Sequence, residues 1–276
     1  MTTVINPGLT AGLGARAQSG APRVVRRLVA LVIALVVWQL ASLWLGAATL
    51  PGLASCLTAL GNLLTERELW QAAGDTMATT LLGLAISVVV AVPLGAMIGS
   101  IRFADRSSHI VIDVLRTIPP VTLLPLALLL YGPTLQMALV LVIYGSFWPL
   151  LIHGIYAVRE VDPVQRDVAV SFGLPITLRW RKLLLPSILP MVIVGIRISA
   201  TIALLLAVTS ELIAGAPGIG ERITAAQNAN RVDDAYAYII CAALLGVATN
   251  AVMRLIERRV ISWHPSVRAN QIGAAG

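Results

Sequence analysis

Two ionisable side chains lie inside a long apolar run of the sequence, where a charged group is energetically unfavourable. Arg197 and Glu211 both fall in the stretch from Ser187 to Ile213. An ionised group at mid-membrane depth costs at least about 2.5–3.5 kcal/mol, so such a group usually faces the interior of a helix bundle or pairs with a neighbour. On one straight helix the two residues are about 21 Å apart and within about 40° of one face, too distant to pair with each other.

Three further residues continue this face: Thr201, Leu204 and Val208. The stripe predicts one wall of a translocation path, with Arg197 nearer the cytoplasm and Glu211 nearer the outside. The alternative is that each charge pairs with a neighbouring helix or extends to an interface. For Glu211, which lies close to the outer end of the run, the sequence favours a structural role capping the turn at residues 214–220.

Other residue types that support catalysis or metal binding lack the necessary spacing. Ser146 has no Gly-x-Ser-x-Gly turn around it, which argues against a serine hydrolase using His153. The histidines are far apart and predict no metal site: His109, His153 and His264. The two cysteines, Cys56 and Cys241, stand in different apolar surroundings and predict no disulfide.

A nucleotide-binding loop is also missing from the sequence. Such a loop needs Gly-x-x-x-x-Gly-Lys-Ser/Thr, which cradles phosphate. The single lysine, Lys182, follows Arg181 and precedes Leu183. If ATP drives this protein, another chain must bind it.

The composition identifies the environment that holds these residues. Of 276 residues, 58% are hydrophobic and 12% are charged, and the mean hydropathy is +0.86. A water-soluble fold has too little interior to bury that much apolar surface. The sequence therefore predicts a polytopic membrane protein and excludes a soluble enzyme, a disordered chain and a disulfide-stabilised secreted domain.

Helical spans of about 20 apolar residues predict an all-α architecture with about six transmembrane helices. The candidate spans are 28–48, 76–101, 117–131, 135–158, 187–213 and 236–256. The third is short and contains Pro119, Pro120 and Pro125, so we expect it to be irregular or kinked and to lie inside the bundle.

The distribution of basic residues orients these spans. Sixteen cations fall in alternate connections and only three, Arg67, Arg222 and Arg231, fall in the others. Basic residues concentrate on the cytoplasmic side, so both termini are predicted to be cytoplasmic. The same asymmetry explains the net charge of +7 without nucleic acid. Residues 1–22 are polar and are predicted to form a mobile tail, and residues 23–75 the first span and its extracytoplasmic connection.

The predicted cytoplasmic segment 159–186 has the marks of a short amphipathic helix. Asp162 suits an N-cap, Pro163 the first helical position and Gly173 the position after the helix end. Val164, Val168 and Phe172 recur every fourth residue. The plain interpretation is a helix on the lipid headgroups anchored by Arg179, Arg181 and Lys182. The functional interpretation is a helix that docks into a groove of a cytoplasmic partner.

Residues in this segment resemble the signature loop of the permease subunits of ABC importers. The family pattern is Glu-Ala-Ala, three residues, Gly, nine residues, then Ile-x-Leu-Pro. This chain has Asp167-Val168-Ala169, Gly173 and Leu183-Leu184-Leu185-Pro186 at the same spacing. Val168 departs from the small alanine of the pattern and Leu183 replaces isoleucine.

The resemblance extends over most of residues 76–264. In this range the sequence is similar to the branch of the family that imports sulfonates, taurine and nitrate. The resemblance is carried by Leu115-Arg116-Thr117-Ile118-Pro119-Pro120, Gly195-Ile196-Arg197, Glu211 with Pro217-Gly218-Ile219-Gly220, and Glu257-Arg258-Arg259 with Trp263. These motifs identify the family and leave the solute open between oxyanions and aromatic or heterocyclic compounds.

The resemblance implies a type I importer permease fold in the cytoplasmic membrane, with a permease core at 76–264 and a tail at 265–276. It implies two ABC ATPase subunits, a second permease copy, an extracytoplasmic solute-binding protein and membrane lipid as partners. ATP and magnesium would be used by the ATPase, with no cofactor on this chain. The residues implied to couple to the ATPase are Val164, Asp167, Val168, Ala169, Phe172, Gly173, Leu185 and Pro186. The alternative function is an ATP-independent secondary transporter or channel, whose expected inverted repeats or multiple intramembrane acids are not seen.

Overall fold

The computed structural model describes residues 23–161 and 163–261, and within these ranges the chain is helical with no β-strand. Five helical stretches are long and apolar enough to cross a membrane, and a bent pair of helices makes a sixth if it counts as one span. The predicted all-α class with about six spans is confirmed.

The helices follow one another closely along the chain. They are α1 (Arg23–Leu45), α2 (Leu53–Thr65), α3 (Arg67–Ser100), α4 (Arg102–Thr117), α5 (Leu124–Tyr131), α6 (Leu135–Arg159), α7 (Pro163–Ser171), α8 (Ile176–Arg179), α9 (Leu185–Ala214), α10 (Ile219–Asn228) and α11 (Val232–Val260). A 3₁₀ turn, Pro120–Leu123, precedes α5, and a π-helical turn, Trp180–Leu184, precedes α9. The predicted tails at 1–22 and 265–276, and with them Trp263 and His264, lie outside the described residues.

The chain divides into two compact units, Met1–Leu53 and Ala54–Gly276. In the first, α1 ends before Gly46, whose φ of +82° is readily adopted only by glycine. The Trp38 indole N–H then donates to the Pro51 carbonyl at 3.1 Å, which ties the following turn back to the helix.

The third predicted span is not a single helix. Phe103–Thr117 and Pro120–Tyr131 form a pair bent by 75°, and α5 alone has eight residues, or about 12 Å. Proline lacks an N–H and its ring pushes the preceding residue out of the helical region, so Pro119 and Pro120 end one helix before the next begins. The expected kink is confirmed, and the connection between the spans predicted at 76–101 and 117–131 is helix α4.

The centre of the second unit is formed by α3, α6 and α9, whose backbones approach closely. A side chain at Gly95 would meet the Leu151 carbonyl oxygen at 2.5 Å, and one at Gly99 would meet the Ile155 carbonyl oxygen at 2.6 Å. The Gly-x-x-x-Gly pair of α3 is thus a true contact surface against α6. Across the other side of α6, a side chain at Gly195 would meet His153 Cβ at 2.8 Å.

Three fully buried serines join the same helices. The hydroxyls of Ser87 and Ser146 lie 2.8 Å apart, and the Ser199 hydroxyl donates to the Ser146 carbonyl at 2.9 Å. A hydroxyl in an apolar interior must find a partner because an unsatisfied one costs about 1–3 kcal/mol. The serine contacts therefore link α3 to α6 and α6 to α9 inside the core.

Candidate functional site

Helix α7 lies in the first half of the predicted coupling segment 159–186. The Gly173 N–H donates to the Val170 carbonyl at 2.9 Å, and the Leu174 N–H donates to the Ala169 carbonyl at 3.1 Å. These two bonds form a Schellman motif, and Gly173 has the φ of +63° that the motif requires. The helix and its glycine stop lie where the sequence predicts them, and the predicted N-cap, Asp162, lies outside the described residues.

The surface of this segment is apolar and open. Phe172 is 80% exposed, Ile176 68% and Val164 66%, whereas Ala169 is buried at 4%. Asp167 is exposed beside them. Val168 lies within α7. A large phenyl ring in water loses the free energy that burial supplies, roughly 1.5–3 kcal/mol, so this surface is suited to a partner.

The segment continues directly into α9. The Arg179 Nε donates to the Leu174 carbonyl at 2.6 Å, which closes the turn after α7. The π-helical turn at 180–184 then leads to Leu185 and Pro186. Pro186 lacks an N–H for the Lys182 carbonyl and its ring crowds that turn, which explains the wider π-helical turn. Leu185 is 53% exposed and Pro186 is partly buried.

Arg197 is held by a residue that sequence reasoning did not assign to it. Its Nη1 lies 2.9 Å from Glu257 Oε2 of α11, and the two side chains are 43% and 21% exposed. This is the neighbouring-helix contact of the structural alternative, while the path-lining role stays a prediction. Glu257 lies 60 residues away from Arg197 along the chain. The one sequence feature that singled out Glu257 is its place in the Glu257-Arg258-Arg259 motif, which does not indicate Arg197 as its partner.

Glu211 is fully buried and accepts hydrogen bonds from two helices. Its Oε2 accepts from the Thr76 hydroxyl of α3 at 2.9 Å and from the Gly220 N–H of α10 at 3.0 Å. The Thr76 hydroxyl oxygen in turn accepts from the Ile219 N–H at 3.0 Å. The carboxylate and the Thr76 hydroxyl therefore each satisfy one otherwise unpaired N–H group at the start of α10, where negative charge is also favoured.

Two glycines allow this fold around the carboxylate. A side chain at Gly218, whose φ is +155°, would meet Glu211 Cδ at 2.1 Å, and one at Gly220 would meet Glu211 Cβ at 2.6 Å. The motif Pro217-Gly218-Ile219-Gly220 is thus the backbone that wraps Glu211. Among the described residues Glu211 Oε1 has no hydrogen-bond partner.

The other three residues of the stripe predicted on α9 differ in their burial. Thr201 is exposed and Val208 is partly buried, whereas Leu204 is 7% exposed and packs towards Gly246 of α11. Of the five residues of the stripe, Arg197 and Thr201 are therefore the more exposed, and Leu204 and Glu211 are buried. No group of three or more potential metal-ligating side chains occurs in the part of the chain that the structure describes.

Comparison with known proteins gives a consistent picture. Residues 91–262 match the family model described as binding-protein-dependent transport system inner membrane component. A permease protein of Escherichia coli named for aliphatic sulfonates is 30% identical over 232 residues, 83% of this chain and 88% of that protein. The nitrate import permease protein NrtB of Synechocystis is 26% identical over 267 residues, 91% and 97% of the two chains.

A solved structure matches the fold. An inward-facing form of the MetNI methionine ABC transporter superposes with a TM-score of 0.61 at 19% identity, over 70% of this chain and 96% of that chain. At this identity the likeness concerns the arrangement of helices alone. That arrangement is the type I importer permease fold that the sequence motifs predict.

Proposed function

Since the chain belongs to the family of inner-membrane components of binding-protein-dependent transport systems, we propose that it is the permease subunit of an ATP-driven importer and couples to separate ATPase subunits through α7. It is a multi-pass protein of the cytoplasmic membrane. The observation that carries the proposal is the exposed apolar surface formed by α7, the turn after it and the start of α8, at Val164, Phe172 and Ile176. A short helix with such a surface fits a hydrophobic groove on a cytoplasmic partner.

The division of labour follows from what the chain contains. Its sequence has no phosphate-cradling loop with a lysine, so ATP hydrolysis belongs to another subunit. We expect two copies of the permease, two ATPases that use ATP and magnesium, and an extracytoplasmic binding protein that delivers the solute.

Coupling by α7 has a direct mechanical route. The helix lies between α6 and α9 in sequence, and those two helices pack against each other and against α3 in the central core. The Schellman motif after α7 and the hydrogen bond from Arg179 Nε to the Leu174 carbonyl constrain the backbone between α7 and α9. Closure of the ATPases would move α7, and α6 and α9 would tilt with it, which opens the membrane cavity outward. Hydrolysis would return it inward.

The solute is proposed to be a small anion such as a sulfonate, taurine or nitrate, or an aromatic or heterocyclic compound. The names of relatives matched over most of their length include aliphatic sulfonates and nitrate. For the path we retain the α9 stripe Arg197, Thr201, Leu204, Val208 and Glu211, of which Arg197 and Thr201 are the more exposed members.

The test uses Phe172 because its ring is 80% exposed and contributes nothing to the core. Phe172→Asp is expected to leave the permease folded in the membrane and to abolish recovery of its ATPase partner on affinity purification, together with solute uptake. Phe172→Leu keeps an apolar surface and is the matched control, expected to retain both. Normal ATPase recovery by Phe172→Asp would remove α7 as the docking element. Uptake by the permease reconstituted alone, driven by an ion gradient, would instead support a secondary transporter.

A further inference from the structure

Helix α4 is attached to the other helices by few apolar contacts. Ile112 is the one buried side chain among those that the structure describes on α4, and it belongs to the same apolar cluster as Ile155 of α6. The other large apolar side chains of the helix include Phe103, Ile110 and Val114, each more than half exposed. Because so little apolar surface of α4 is buried, its position depends strongly on its polar contacts.

One polar contact joins the start of α4 to the end of α6. Asp105, in the first turn of α4, contacts Nη2 of Arg159, the last residue of α6, through Oδ2. The two side chains are 18% and 33% exposed, so water screens this ion pair less than it screens a surface pair. The other carboxylate oxygen, Oδ1, lies 3.3 Å from His109 Nε2 but makes no hydrogen bond within the described chain. Asp105 is therefore tied to another helix through Arg159.

The backbone brings these two residues together. A side chain at Gly99, near the end of α3, would meet the Ile155 carbonyl oxygen at 2.6 Å, so the ends of α3 and α6 are in contact. Ile101 is extended and ends α3, and α4 begins at the next residue. Asp105 follows Ile101 by four residues, and Arg159 follows Ile155 by four residues, or about one helical turn.

A second ion pair on α4 has a different character. Arg116 Nε lies 3.1 Å from Asp113, three residues earlier on the same helix, and the two side chains are 49% and 59% exposed. An exposed pair of this kind contributes little, and it joins no second element. The two pairs are on one helix and use the same residue types, but only the pair of Asp105 and Arg159 connects α4 to α6.

Arg159 directly precedes the segment that is proposed to dock on the ATPase. Val161, two residues later, is 4% exposed and belongs to an apolar cluster with Val158 of α6 and Ile188 of α9. Helix α7 begins at Pro163. The end of α6 is therefore held to α9 by apolar contact and to α4 by the ion pair, and a displacement of α7 reaches Arg159 through three intervening residues.

The other end of α4 leads into the bend before α5. The Tyr144 hydroxyl of α6 donates to the Leu115 carbonyl of α4 at 2.7 Å, immediately before this bend. A cavity of about 650 Å³ lies between the bend and the helices α6 and α9, and its wall includes Pro120, Trp148 and Ile202. Helix α4 thus connects the residues next to α7 with the wall of this cavity.

We propose that Asp105 is a positioning residue of the transport cycle, which passes a displacement of α7 through Arg159 to α4 and so to the bend. The proposal rests on the proposed function and adds a second route to the one through α6 and α9. The structural alternative is that Asp105 only favours the start of α4, where a carboxylate is stabilised by the helix dipole. That role needs no Arg159.

Two reporter cysteines separate the two routes. Thr117→Cys is at the end of α4 on the cavity wall, and Thr201→Cys is on α9; both positions are exposed, whereas Cys56 and Cys241 are buried. The complete complex with its ATPase is labelled with a maleimide, first without nucleotide and then after trapping with ATP, magnesium and vanadate. The labelling rate should change by about threefold or more at both positions, because a thiol reacts according to its exposure.

The variants are compared by the ratio of these two rates, which cancels local effects on the thiol. Asp105→Asn should bring the ratio at Thr117→Cys close to one and leave that at Thr201→Cys unchanged. Arg159→Gln should do the same, and the double variant should do no more, because both residues belong to one contact. Asp105→Glu keeps the charge and should retain about half of the response or more. Asp113→Asn is the matched control and should retain all of it.

A wild-type ratio at Thr117→Cys in the Asp105→Asn chain, or an equal loss in Asp113→Asn, would overturn the proposal. Loss of the response at both reporters in Asp105→Asn would also overturn it, since it would show that Asp105 only maintains the fold. Failure of the proposed function gives a different result. Without coupling through α7, neither reporter would respond to nucleotide in the chain that carries no other substitution, whereas failure of this inference alone leaves the response at Thr201→Cys intact.

Discussion

The carboxylate of Glu211 and the hydroxyl of Thr76 lie 2.9 Å apart in the core, although 135 residues separate them in the chain. This contact joins α9 to α3 and, through the Gly220 and Ile219 N–H groups, to the start of α10. Glu211 is the one acidic residue among the fully buried side chains of the described residues. Its hydrogen bonds, and not contact with solvent, account for its presence in an apolar helix in this conformation.

Replacing Thr76 by valine is expected to destabilise this junction. Thr76→Val keeps the shape but leaves the Ile219 N–H unsatisfied and removes one donor from Glu211, at a cost of about 1–3 kcal/mol. The purified variant should therefore melt at a lower temperature than the wild type in detergent. Thr79→Val, at another fully buried threonine of α3 that is not among the hydrogen-bond donors to Glu211, serves as the control. Equal melting temperatures for the two variants would refute the role of the junction.

Gly173 offers a clean test of the geometry after α7. Its φ is +63°, and nothing lies within 4 Å of a side chain placed there, so a substitution is penalised by backbone strain and not by collision within the chain. Gly173→Ala should cost about 1–2 kcal/mol in the left-handed region, and Gly173→Asn less because asparagine tolerates it. Gly173→Asp adds charge at the docking surface.

The measurement for Gly173 is recovery of the complete complex together with ATP-driven uptake. The three variants should insert normally and lose coupling in the order Asn, Ala, Asp, with the largest loss for Asp. Wild-type recovery and uptake by Gly173→Asp would remove the docking role of this turn.

Arg197 and Glu257 can be separated from each other by a double substitution. Arg197→Ala leaves Glu257 unpaired in a partly buried position and should lower the amount of assembled complex, and it should also lower the uptake of an anionic solute per complex. Arg197→Lys keeps the charge without the planar fork and should be intermediate. In Arg197→Ala/Glu257→Ala the unpaired acid is gone, so assembly should recover while uptake per complex stays low. Full recovery of both would show that Arg197 only ties α9 to α11.

Two glycines of α3 form a matched pair for the helix contact. Gly95→Ala places a methyl group 2.5 Å from the Leu151 carbonyl oxygen, whereas Gly74→Ala meets nothing within 4 Å. The first should lower the melting temperature because the backbones must separate. The second should be neutral or raise it, since alanine favours the helix by about 0.5–1 kcal/mol. Thermal unfolding of both in the same detergent decides the point.

The predicted orientation can be tested with single cysteines. Gln71 is exposed on α3, and a cysteine there should react with an impermeant maleimide in intact cells. A cysteine at Ser266, outside the described residues, should react only after lysis. The background is low because Cys56 and Cys241 are buried, and burial, aided by the negative charge of Asp233, raises the pKa of the Cys56 thiol. Labelling of both sites from outside would contradict the orientation.

Features set by neighbouring residues were predictable from the sequence, and those set by packing were not. The stop of α7 at Gly173 and the cap at Gly220, nine residues from Glu211, depend on local backbone geometry. The prolines predicted a break at residues 117–125 but not a 75° bend. The angle depends on contacts with α6 and α9, as does the cavity that the bend leaves beside Trp148.

Contacts between residues far apart in the sequence could not be predicted either. Glu257 for Arg197 and Thr76 for Glu211 are 60 and 135 residues away, and many polar residues could satisfy a charge equally well. The serine cluster gave no signal because a single serine in a span can bond its own helix. Only the packing of α3, α6 and α9 brings Ser87, Ser146 and Ser199 together.

The tight glycine contacts among α3, α6 and α9 set a rule for building hybrid permeases. A side chain at Gly145 of α6 would meet Leu206 of α9 at 2.1 Å, and one at Gly83 of α3 would meet Val142 of α6 at 2.4 Å. Helix α6 is closely fitted to both α3 and α9, so replacing one of the three helices alone with that of a relative would create steric mismatches along α6. The smallest transplantable part is all three helices together, and solute preference should be exchanged between relatives only at that scale.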